Sequence, residues 1–348
     1  MGKLSFTDLL GSQFTRVPPV LTADVRGKTV TVVGANAGIG LECAKHFARM
    51  RPARLILCCR NEKKGQEAAE LIAKETTFRP DVEILDLSSF ASVVTFTRRL
   101  KGEPIDILVL NAAVVTYLYQ PTGDGWEEGL QVNHLSTALL SFLLVPNLLK
   151  AAETHSSTSR LVVVASEVHY WRRFDEQIVQ NGVLAQLNTE EYCTSEVMAT
   201  RYFDTKLLNV LFTRAFSQHL TNTYASSVVP TCANPGLCNT GLTSNIPIPF
   251  IQRTRMNVMQ AIMGRTAEQG ARQLVWAALG PDGRDGPHVR YAMSGQYVSL
   301  AKVEEPSDFT ISREGYEAQE KVWKETIQVL EGVVPEVGEI VEQYFGRA

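Results

Sequence analysis

The 348-residue sequence predicts an α/β fold, in which one doubly wound parallel sheet carries helices on both faces. Two observations support this fold class. Short apolar runs, typical of strands buried on both faces, alternate along the chain with helix-spaced apolar patterns. The first run, Thr29 to Val33, passes through a glycine-rich turn into an amphipathic stretch at 41–50. No repeat, composition break or Gly/Ser linker divides the chain, so we expect one domain with appendages.

The order of the remaining elements sets the expected organisation. Strands are predicted at 55–59, 82–86, 105–110, 160–165 and 227–233, with an edge strand near 289–293. Helices are predicted at 90–100, 126–152, 196–220, 315–331 and 336–345, with Gly332 and Pro335 separating the last two. We therefore expect an N-terminal extension (1–26), a body (27–295) with loop insertions near 168–195 and 237–257, and a helical tail (296–348) packed on the body.

Composition and charge narrow the function classes. The chain is 45% hydrophobic and 20% charged. Its 34 basic and 37 acidic residues give a net charge of −3, so the charge does not indicate a nucleic-acid partner. The longest apolar stretch, 138–145, is stopped by Pro146 and is far shorter than the ~20 residues that span a bilayer, so no transmembrane segment is expected. The six cysteines show neither a CxxC motif nor a metal-ligand spacing, so we expect reduced thiols, no metal site and a cytoplasmic protein.

Two groups of apolar residues have more than one interpretation. The N-terminal extension contains apolar residues that fit a short helix, which would dock on the body or touch a membrane, docking being preferred: Leu4, Phe6, Leu9, Leu10 and Phe14. The predicted internal helices have apolar faces that fit either the core or a subunit interface: Leu139, Phe142 and Leu143, and Leu207, Val210 and Leu211. A homodimer is therefore compatible with the sequence.

The glycine-rich turn, Gly34-Ala-Asn-Ala-Gly38-Ile-Gly40, predicts a nucleotide site. Glycines let the backbone reverse sharply and approach a pyrophosphate, and the following helix N-terminus offers free N–H groups to the anion. The spacing is GxxxGxG and differs from GxGxxG. The alternative is a turn that needs glycines for packing alone.

The end of the second strand predicts the identity of the nucleotide. A dinucleotide site for NAD(H) usually has an acidic residue there, which binds the ribose 2′-hydroxyl. Here the strand ends in Arg60, with Lys63 and Lys64 following. A guanidinium pairs well with a 2′-phosphate, so we expect NADP(H). The alternative is a solvated basic start to the next helix.

Candidate catalytic residues follow from the ends of the strands, where ligands bind in doubly wound sheets. Tyr202 and Lys206 are four residues apart in a predicted helix, which places both on one face. An ammonium beside a phenol favours the phenolate, so we expect Lys206 to lower the pKa of Tyr202 from about 10 and to make it a general acid/base. Ser166 follows a buried strand and can bond a substrate carbonyl, although a serine there also commonly caps a turn.

The order of these motifs over 27–295 resembles the short-chain dehydrogenase/reductase family, and most closely its retinol-dehydrogenase-like members. The matching pieces are the glycine turn, Cys59-Arg60 with Lys64-Gly65, Asp86-Leu87, Asn111-Ala112-Ala113, Val132-Asn133-His134, Ser166, Tyr202 with Lys206, and Pro235-Gly236 with Thr240. Two positions depart from the usual family pattern. Val33 stands where Thr is frequent and Ala113 where Gly is usual, and both concern local backbone geometry.

The resemblance implies a role for each matched residue. Tyr202 would exchange a proton with the substrate oxygen, Ser166 would hold that oxygen, Lys206 would bind the nicotinamide ribose, and Asn133, at a disturbance in its helix, would anchor a water. The implied cofactor contacts with NADP(H) are made by Gly34, Asn36, Gly38, Ile39, Gly40, Arg60, Lys64, Asp86, Leu87, Asn111, Ala112, Tyr202, Lys206, Pro235, Gly236 and Thr240.

Two apolar segments predict the walls of a substrate pocket. Residues 168–174 are rich in aromatic side chains, and 237–257 contains several apolar residues with two prolines and no helical period. Both suit a hydrophobic carbonyl or alcohol, including an intermediate of secondary metabolism, although ordinary packing is an alternative. The resemblance therefore implies an NADP(H)-dependent oxidoreductase that interconverts a ketone or aldehyde and an alcohol. The alternatives are a dehydratase or epimerase of the same family and a non-catalytic protein that senses NADP(H).

Overall fold

The computed structural model describes residues 11–220, 224, 227–243, 261, 263–281, 283 and 292–346. Eight strands form one sheet in the order β3-β2-β1-β4-β5-β6-β7-β8. Neighbouring strands are parallel except for the last pair, β7 and β8, which is antiparallel. This topology confirms the doubly wound sheet. The strands are β1 (Thr29–Val33), β2 (Arg54–Cys59), β3 (Asp81–Ile84), β4 (Ile107–Leu110), β5 (Ser159–Val164), β6 (Val228–Ala233), β7 (Gln296–Ser299) and β8 (Lys302–Glu304).

The central strands are buried along their whole length. Every residue of β1, β4, β5 and β6 is buried, because helices cover both faces of the sheet. Within the sheet, Val30 of β1 is paired with Leu55 of β2 on one side and with Ile107 of β4 on the other. This double burial explains why these strands are continuous apolar runs and show no alternation of apolar and polar residues.

Two groups of helices cover the sheet. One apolar cluster contains residues of α1, α2 and α11, and the other contains residues of α3 to α6, α8, α10, α13 and α14. The helices are α1 (Gly38–Met50), α2 (Glu62–Thr76), α3 (Phe90–Arg99), α4 (Glu128–Leu130), α5 (Ser136–Leu143), α6 (Val145–His155), α7 (Glu176–Asn181), α8 (Val183–Asn188), α9 (Ser195–Met198), α10 (Arg201–His219), α11 (Ala267–Leu279), α12 (Asp308–Ile311), α13 (Arg313–Val333) and α14 (Glu336–Tyr344).

Local signals explain where several helices begin. Asn61 caps α2 by accepting a hydrogen bond from the Lys64 N–H at 2.9 Å. Thr266 and Gln269 form a reciprocal capping box at the start of α11. Such caps satisfy N–H groups that have no partner inside the helix.

Several element boundaries differ from the sequence-based expectations. The predicted helix 126–152 is divided into α4, a π-helical turn (Gln131–Leu135), α5 and α6. The predicted edge strand near 289–293 is wrong where it is described, since 292 and 293 are helical and the next strand is β7. Gly332 lies inside α13, so Pro335 alone marks the break before α14. The segment after residue 295 begins with two strands before its helices.

The described part of the N-terminal extension docks on the body. Gln13, Val17 and Val25 are buried, and the Pro18 carbonyl accepts a hydrogen bond from Arg272 of α11 at 3.2 Å. Phe14 is 68% exposed. Leu4, Phe6, Leu9 and Leu10 lie outside the described residues.

An aromatic cluster joins the C-terminal helices to the sheet-facing helices. The Phe142 ring lies 5.6 Å from that of Phe212, 5.3 Å from that of Trp323 and 5.6 Å from that of Phe345, measured between centroids. The apolar faces of α5 and α10 that fitted either interpretation are therefore core, covered by α13 and α14 of the same chain. Among the described residues no single helix is long and apolar enough to cross a membrane. Two consecutive helical segments, Glu128–Leu143 and Val145–His155, meet at a bend of 46° and together have the length and composition of such a helix.

Replacing Trp323 by Ala is expected to lower the free energy of unfolding by about 3–5 kcal/mol, because truncation of a buried aromatic residue leaves a cavity. Urea denaturation followed by circular dichroism measures the change. Tyr316→Ala, on the same helix at a 53% exposed position, is the control and is expected to change stability by less than about 0.5 kcal/mol. Equal losses in both variants would contradict the placement of Trp323 in the core.

Candidate active site

The candidate site lies along one edge of the sheet. Strands β1 to β6 are parallel, so their carboxyl ends meet at the same edge. The residues at or just after these ends are those singled out from the sequence: Gly34, Arg60, Asp86, Asn111, Ser166 and Asn234. The topology therefore brings the predicted nucleotide-binding and catalytic residues to one edge.

The glycine turn packs directly against the end of β4. Gly34 has a φ of 78°, and a methyl group on it would lie 2.8 Å from the Ala112 Cα atom. A methyl group on Gly40 would lie 2.2 Å from the Gly34 oxygen, which accepts a hydrogen bond from the Asn111 side chain at 3.2 Å. Side chains at Gly34 and Gly40 are thus excluded by the close approach of backbone, as a phosphate-binding turn requires.

The same turn leads into the N-terminus of α1. Gly38 opens the helix with a φ of 58°, and Ala37 at the N-cap supplies no side-chain hydrogen bond. A methyl group on Gly38 would lie 3.5 Å from the Thr240 methyl carbon, which places Thr240 beside this helix end. Asn36 and Ile39 are half-buried in the turn. A helix N-terminus with few competing acceptors is a suitable place for an anion.

The basic residues predicted to select NADP(H) are accessible. Arg60, Lys63 and Lys64 are all exposed, Arg60 directly after β2 and the lysines in the first turn of α2. Asp86 accepts two hydrogen bonds from Ser88, at 2.9 and 2.7 Å, and the Leu87 carbonyl accepts one from Ser136 at 2.6 Å. The segment after β3 is therefore held in place next to the basic residues on the same sheet edge.

Tyr202 and Lys206 share one face of α10, as predicted. The Lys206 Nζ atom lies 5.3 Å from the centroid of the Tyr202 ring. It donates a hydrogen bond to the Val164 carbonyl at 2.8 Å, two residues before Ser166. Lys206 is buried and Tyr202 is half-buried. The lysine thus connects the helix that carries Tyr202 to the strand end that carries Ser166.

Asn133 lies in a π-helical turn, which agrees with the predicted helix disturbance. Its side chain accepts a hydrogen bond from the Val114 N–H and donates one to the Val114 carbonyl, both at 2.8 Å. It also donates to the Thr205 hydroxyl at 3.1 Å, next to Lys206 on α10. The backbone of Val114 satisfies the amide, which also ties the turn to α10.

Ser166 begins a 3₁₀ helix, Glu167–Trp171, and accepts a long hydrogen bond of 3.5 Å from the Val168 N–H. The capping role that the sequence left open is therefore present, but it is weak. The half-buried hydroxyl retains its own proton for another acceptor. A weak cap and a free donor are compatible with binding a carbonyl oxygen.

Burial controls the protonation of Tyr202 and Lys206. It raises the pKa of Tyr202 well above its ordinary value and lowers the pKa of Lys206 to about 8. The expectation that Lys206 lowers the pKa of Tyr202 is wrong for this structure, because desolvation of the phenolate raises that pKa. Tyr202 is thus a protonated donor at neutral pH.

Sequence reasoning missed two ion pairs beside Tyr202, one fully buried and one between a partly exposed arginine and a buried carboxylate. The Arg201 Nε atom lies 3.8 Å from a Glu127 carboxylate oxygen, and both side chains are fully buried. Arg172 donates to the buried Asp204 carboxylate at 2.5 Å. Nothing in the spacing of these charges marks them as buried. The signal that does so is the spread of charged and apolar residues around the whole of α10, which leaves no polar face that could be the exposed one.

The turn at Pro235-Gly236 is also held by polar contacts. The Asn234 side chain accepts from the Gly236 N–H at 3.0 Å, and Arg265 donates to the Pro235 carbonyl at 3.4 Å. Gly236 has a φ of 80°, and a methyl group there would lie 2.3 Å from an Arg265 nitrogen. The turn therefore requires glycine in this position.

The predicted substrate walls are described in part. In the segment 168–174, Phe174 is buried against Phe309, with ring centroids 6.4 Å apart, and belongs to the core. Trp171 is 41% exposed beside Phe203, next to Tyr202 in sequence, and lines a groove of about 1310 Å³ between residues 170–180 and 307–317. Most of the second wall, 244–257 with Ile246, Ile248, Phe250 and Ile251, lies outside the described residues.

Comparisons with known proteins identify the family of this chain. Residues 28–171 match the family model of the short chain dehydrogenases. The chain is 38% identical over 271 residues to the short chain dehydrogenase sol3 of Alternaria solani, an alignment that covers 76% of this chain and 90% of that protein. The chain belongs to the short-chain dehydrogenase/reductase family.

Other members of the short-chain dehydrogenase/reductase family match over nearly the whole length. The short chain dehydrogenase/reductase dmxR8 of Cryptosporiopsis sp. is 30% identical, over 94% of this chain and 98% of that protein. An uncharacterised protein of Mycobacterium paratuberculosis has a similar crystal structure, with a TM-score of 0.63 and 25% identity over 90% of this chain and 98% of that one. The resemblance to retinol-dehydrogenase-like members in particular stays a prediction.

Proposed function

We propose that this short-chain dehydrogenase/reductase uses NADP(H) to interconvert a ketone or aldehyde and an alcohol on a hydrophobic small molecule, with reduction the favoured direction. The observation that supports this most strongly is the position of Lys206, whose Nζ atom lies 5.3 Å from the centroid of the Tyr202 ring and donates to the Val164 carbonyl before Ser166. It assembles a proton donor, a carbonyl-binding hydroxyl and a cation at the sheet edge that also bears the glycine turn.

The residues of this edge suit NADP(H). Gly34 and Gly40 leave no room for side chains, and α1 directs its N-terminus to the same place, so a pyrophosphate would be held there beside Thr240. Arg60 and Lys64 would bind the 2′-phosphate. The remaining predicted contacts would hold the adenosine and nicotinamide halves: Asn36, Ile39, Asp86, Leu87, Asn111, Ala112, Pro235 and Gly236. The cofactor, when bound, supplies or accepts hydride at C4 of its nicotinamide.

The four catalytic residues have separable tasks in the proposed reaction. Ser166 donates a hydrogen bond to the substrate carbonyl oxygen and orients it. Tyr202 gives its proton to the same oxygen as hydride arrives at the carbon, or takes it back in the reverse reaction. Lys206 stabilises the phenolate that results and is oriented by Val164. Asn133 holds the π-helical turn against α10 and would anchor the water that returns a proton to this group.

Tyr202 is protonated at neutral pH, which is the state from which reduction starts, and burial raises its pKa further. The exposed face of Trp171 and the neighbouring Phe203 offer apolar contacts at the groove. All six cysteines are free and buried, which fits the reducing cytoplasm in which we place the enzyme.

Arg60→Ala is expected to weaken NADPH binding by about tenfold or more, since a hydrogen bond to a charged group contributes about 1.5–3 kcal/mol, and to leave NADH binding unchanged. Fluorescence titration of the purified protein with each nucleotide measures both constants. Arg79→Ala is the control, because Arg79 is an exposed arginine before the start of β3, at the opposite edge of the sheet. Equal affinity of the wild type for NADPH and NADH would contradict the proposed binding of the 2′-phosphate by Arg60.

Tyr202→Phe is expected to reduce turnover of hydrophobic ketones or aldehydes by about 10²-fold or more, because it removes the proton donor, while NADPH binding is retained. Oxidation of NADPH is followed by absorbance, with Tyr192→Phe as a matched control at another half-buried tyrosine. Unchanged turnover in Tyr202→Phe would make the catalytic assignment wrong. Products that have lost water or inverted a centre would favour a dehydratase or epimerase, and nucleotide binding without turnover would favour a sensor.

The pH profile of reduction is expected to fall as the pH rises through about 8, the pKa of Lys206 in the cofactor-free protein. Below this pH Lys206 is an ammonium that faces Tyr202, and deprotonation removes the charge that stabilises the phenolate. The measurement is kcat/KM between about pH 6 and pH 10, since this ratio reports ionisations of the free enzyme. Lys101→Ala, at an exposed lysine, is the control and should keep the same midpoint. A level profile up to about pH 10 would contradict the role of Lys206.

A further inference from the structure

Glu167, the residue after Ser166, has a buried carboxylate that contacts the N-terminal segment. Glu167 is 5% exposed, and its Oε1 atom accepts a hydrogen bond of 2.7 Å from the side chain of Gln13, which is 6% exposed. The Ser12 hydroxyl donates to the other carboxylate oxygen at 3.5 Å. A segment more than 150 residues away in sequence thus supplies a buried hydrogen bond to the residue beside the predicted catalytic serine.

Arg265 connects the same N-terminal segment to the Pro235-Gly236 turn. Arg265 is 4% exposed and donates to the Ser12 carbonyl at 2.6 Å and to the Pro235 carbonyl at 3.4 Å. Its guanidinium attracts the Glu167 carboxylate, which opposes the rise in the pKa of Glu167 that burial causes. The N-terminal segment therefore contacts both the buried Glu167 carboxylate and the buried Arg265 guanidinium.

Asn234 makes a second connection between the Ser166 segment and the turn. Its side-chain oxygen accepts from the Gly236 N–H at 3.0 Å and from the Glu167 N–H at 3.3 Å. The cap of Ser166 itself is long, at 3.5 Å. The position of Ser166 relative to the turn thus depends on the contacts of Glu167.

We propose that the N-terminal segment 11–17 positions the active site, with Gln13 and the Ser12 backbone holding Glu167 and Arg265 so that Ser166 and the Pro235-Gly236 turn keep a fixed separation. This inference rests on the proposed function, in which Ser166 binds the substrate oxygen and the turn binds the nicotinamide half of the cofactor. The side chain of Gln13 bonds to Glu167, which lies beside Ser166, so Gln13 acts through Glu167 and is a positioning residue. Loss of the Gln13 hydrogen bond leaves the buried Glu167 carboxylate without one of its donors, which costs free energy. We expect the backbone around Glu167 to move and so reduce this cost.

The test compares Gln13→Ala with Phe14→Ala in the full-length protein. Phe14 is adjacent and 68% exposed, so its truncation leaves the contacts of Glu167 intact. Hydrogen exchange followed by mass spectrometry is expected to show faster exchange in Gln13→Ala, by about tenfold, for peptides that contain the Glu167 and Gly236 amides, with unchanged exchange in β1 and β4. Phe14→Ala is expected to exchange as the wild type does.

Steady-state kinetics distinguish an effect on the positions of the reacting groups from an effect on overall stability. In Gln13→Ala, kcat for reduction is expected to fall about tenfold while KM for NADPH changes less than about threefold, because small misplacements of reacting groups reduce rate more than binding.

Two outcomes would overturn the proposal. In one, Gln13→Ala matches Phe14→Ala in exchange and in kcat, and in the other, exchange rises uniformly over the sheet, which would show a loss of overall stability only. If the wild type turns over no ketone or aldehyde, the proposed function fails, and the exchange of the Glu167 and Gly236 peptides still decides whether Gln13 holds the two segments together.

Discussion

The burial of helix α10 on nearly all sides is the constraint on which the candidate site depends. Thirteen residues between Arg201 and Phe216 are buried. Phe212 and Phe216 face the rings of Trp323 and Phe345 from the C-terminal helices, while Lys206 reaches the end of β5 on the other side. The C-terminal segment therefore completes the core around this helix, and the helix in turn carries Tyr202 and Lys206 to the sheet edge.

Two charged residues of α10 beside Tyr202, Arg201 and Asp204, are buried, and their ion-pair partners lie on the segments that bear the other predicted catalytic residues. Arg201 faces Glu127, at the start of the segment that leads into the Asn133 turn. Asp204 accepts from Arg172, which follows the 3₁₀ helix begun by Ser166. Breaking a buried ion pair leaves an uncompensated charge, which lowers the free energy of unfolding by about 3–5 kcal/mol. These contacts therefore restrict how far the segments can separate.

Much of the fold could be predicted from local patterns, whereas the details of the site depend on burial that no local pattern records. Continuous apolar strands and the turn at Gly34 sufficed for the doubly wound sheet, because each of these signals lies within a few neighbouring residues of the sequence. The direction of the Tyr202 pKa could not be predicted from its spacing to Lys206, since desolvation by the surrounding core decides it. The pairing of Arg201 with Glu127 likewise depends on contacts distant in sequence. The edge strand near 289–293 was misplaced because exposed edge strands are short and weakly patterned.

In the proposed reaction, the two pKa shifts together would suit this pair to proton transfer better than a phenolate formed in advance. In the ground state the interior holds a neutral phenol and one ammonium, which is bonded to Val164. As the phenol gives up its proton, negative charge develops within reach of that ammonium, in surroundings where water screens the attraction poorly. The attraction is therefore much stronger in the transition state than before the reaction, and only such differential stabilisation raises the rate. A helix buried for packing reasons thus also supplies the electrostatic environment that the proposed proton transfer needs.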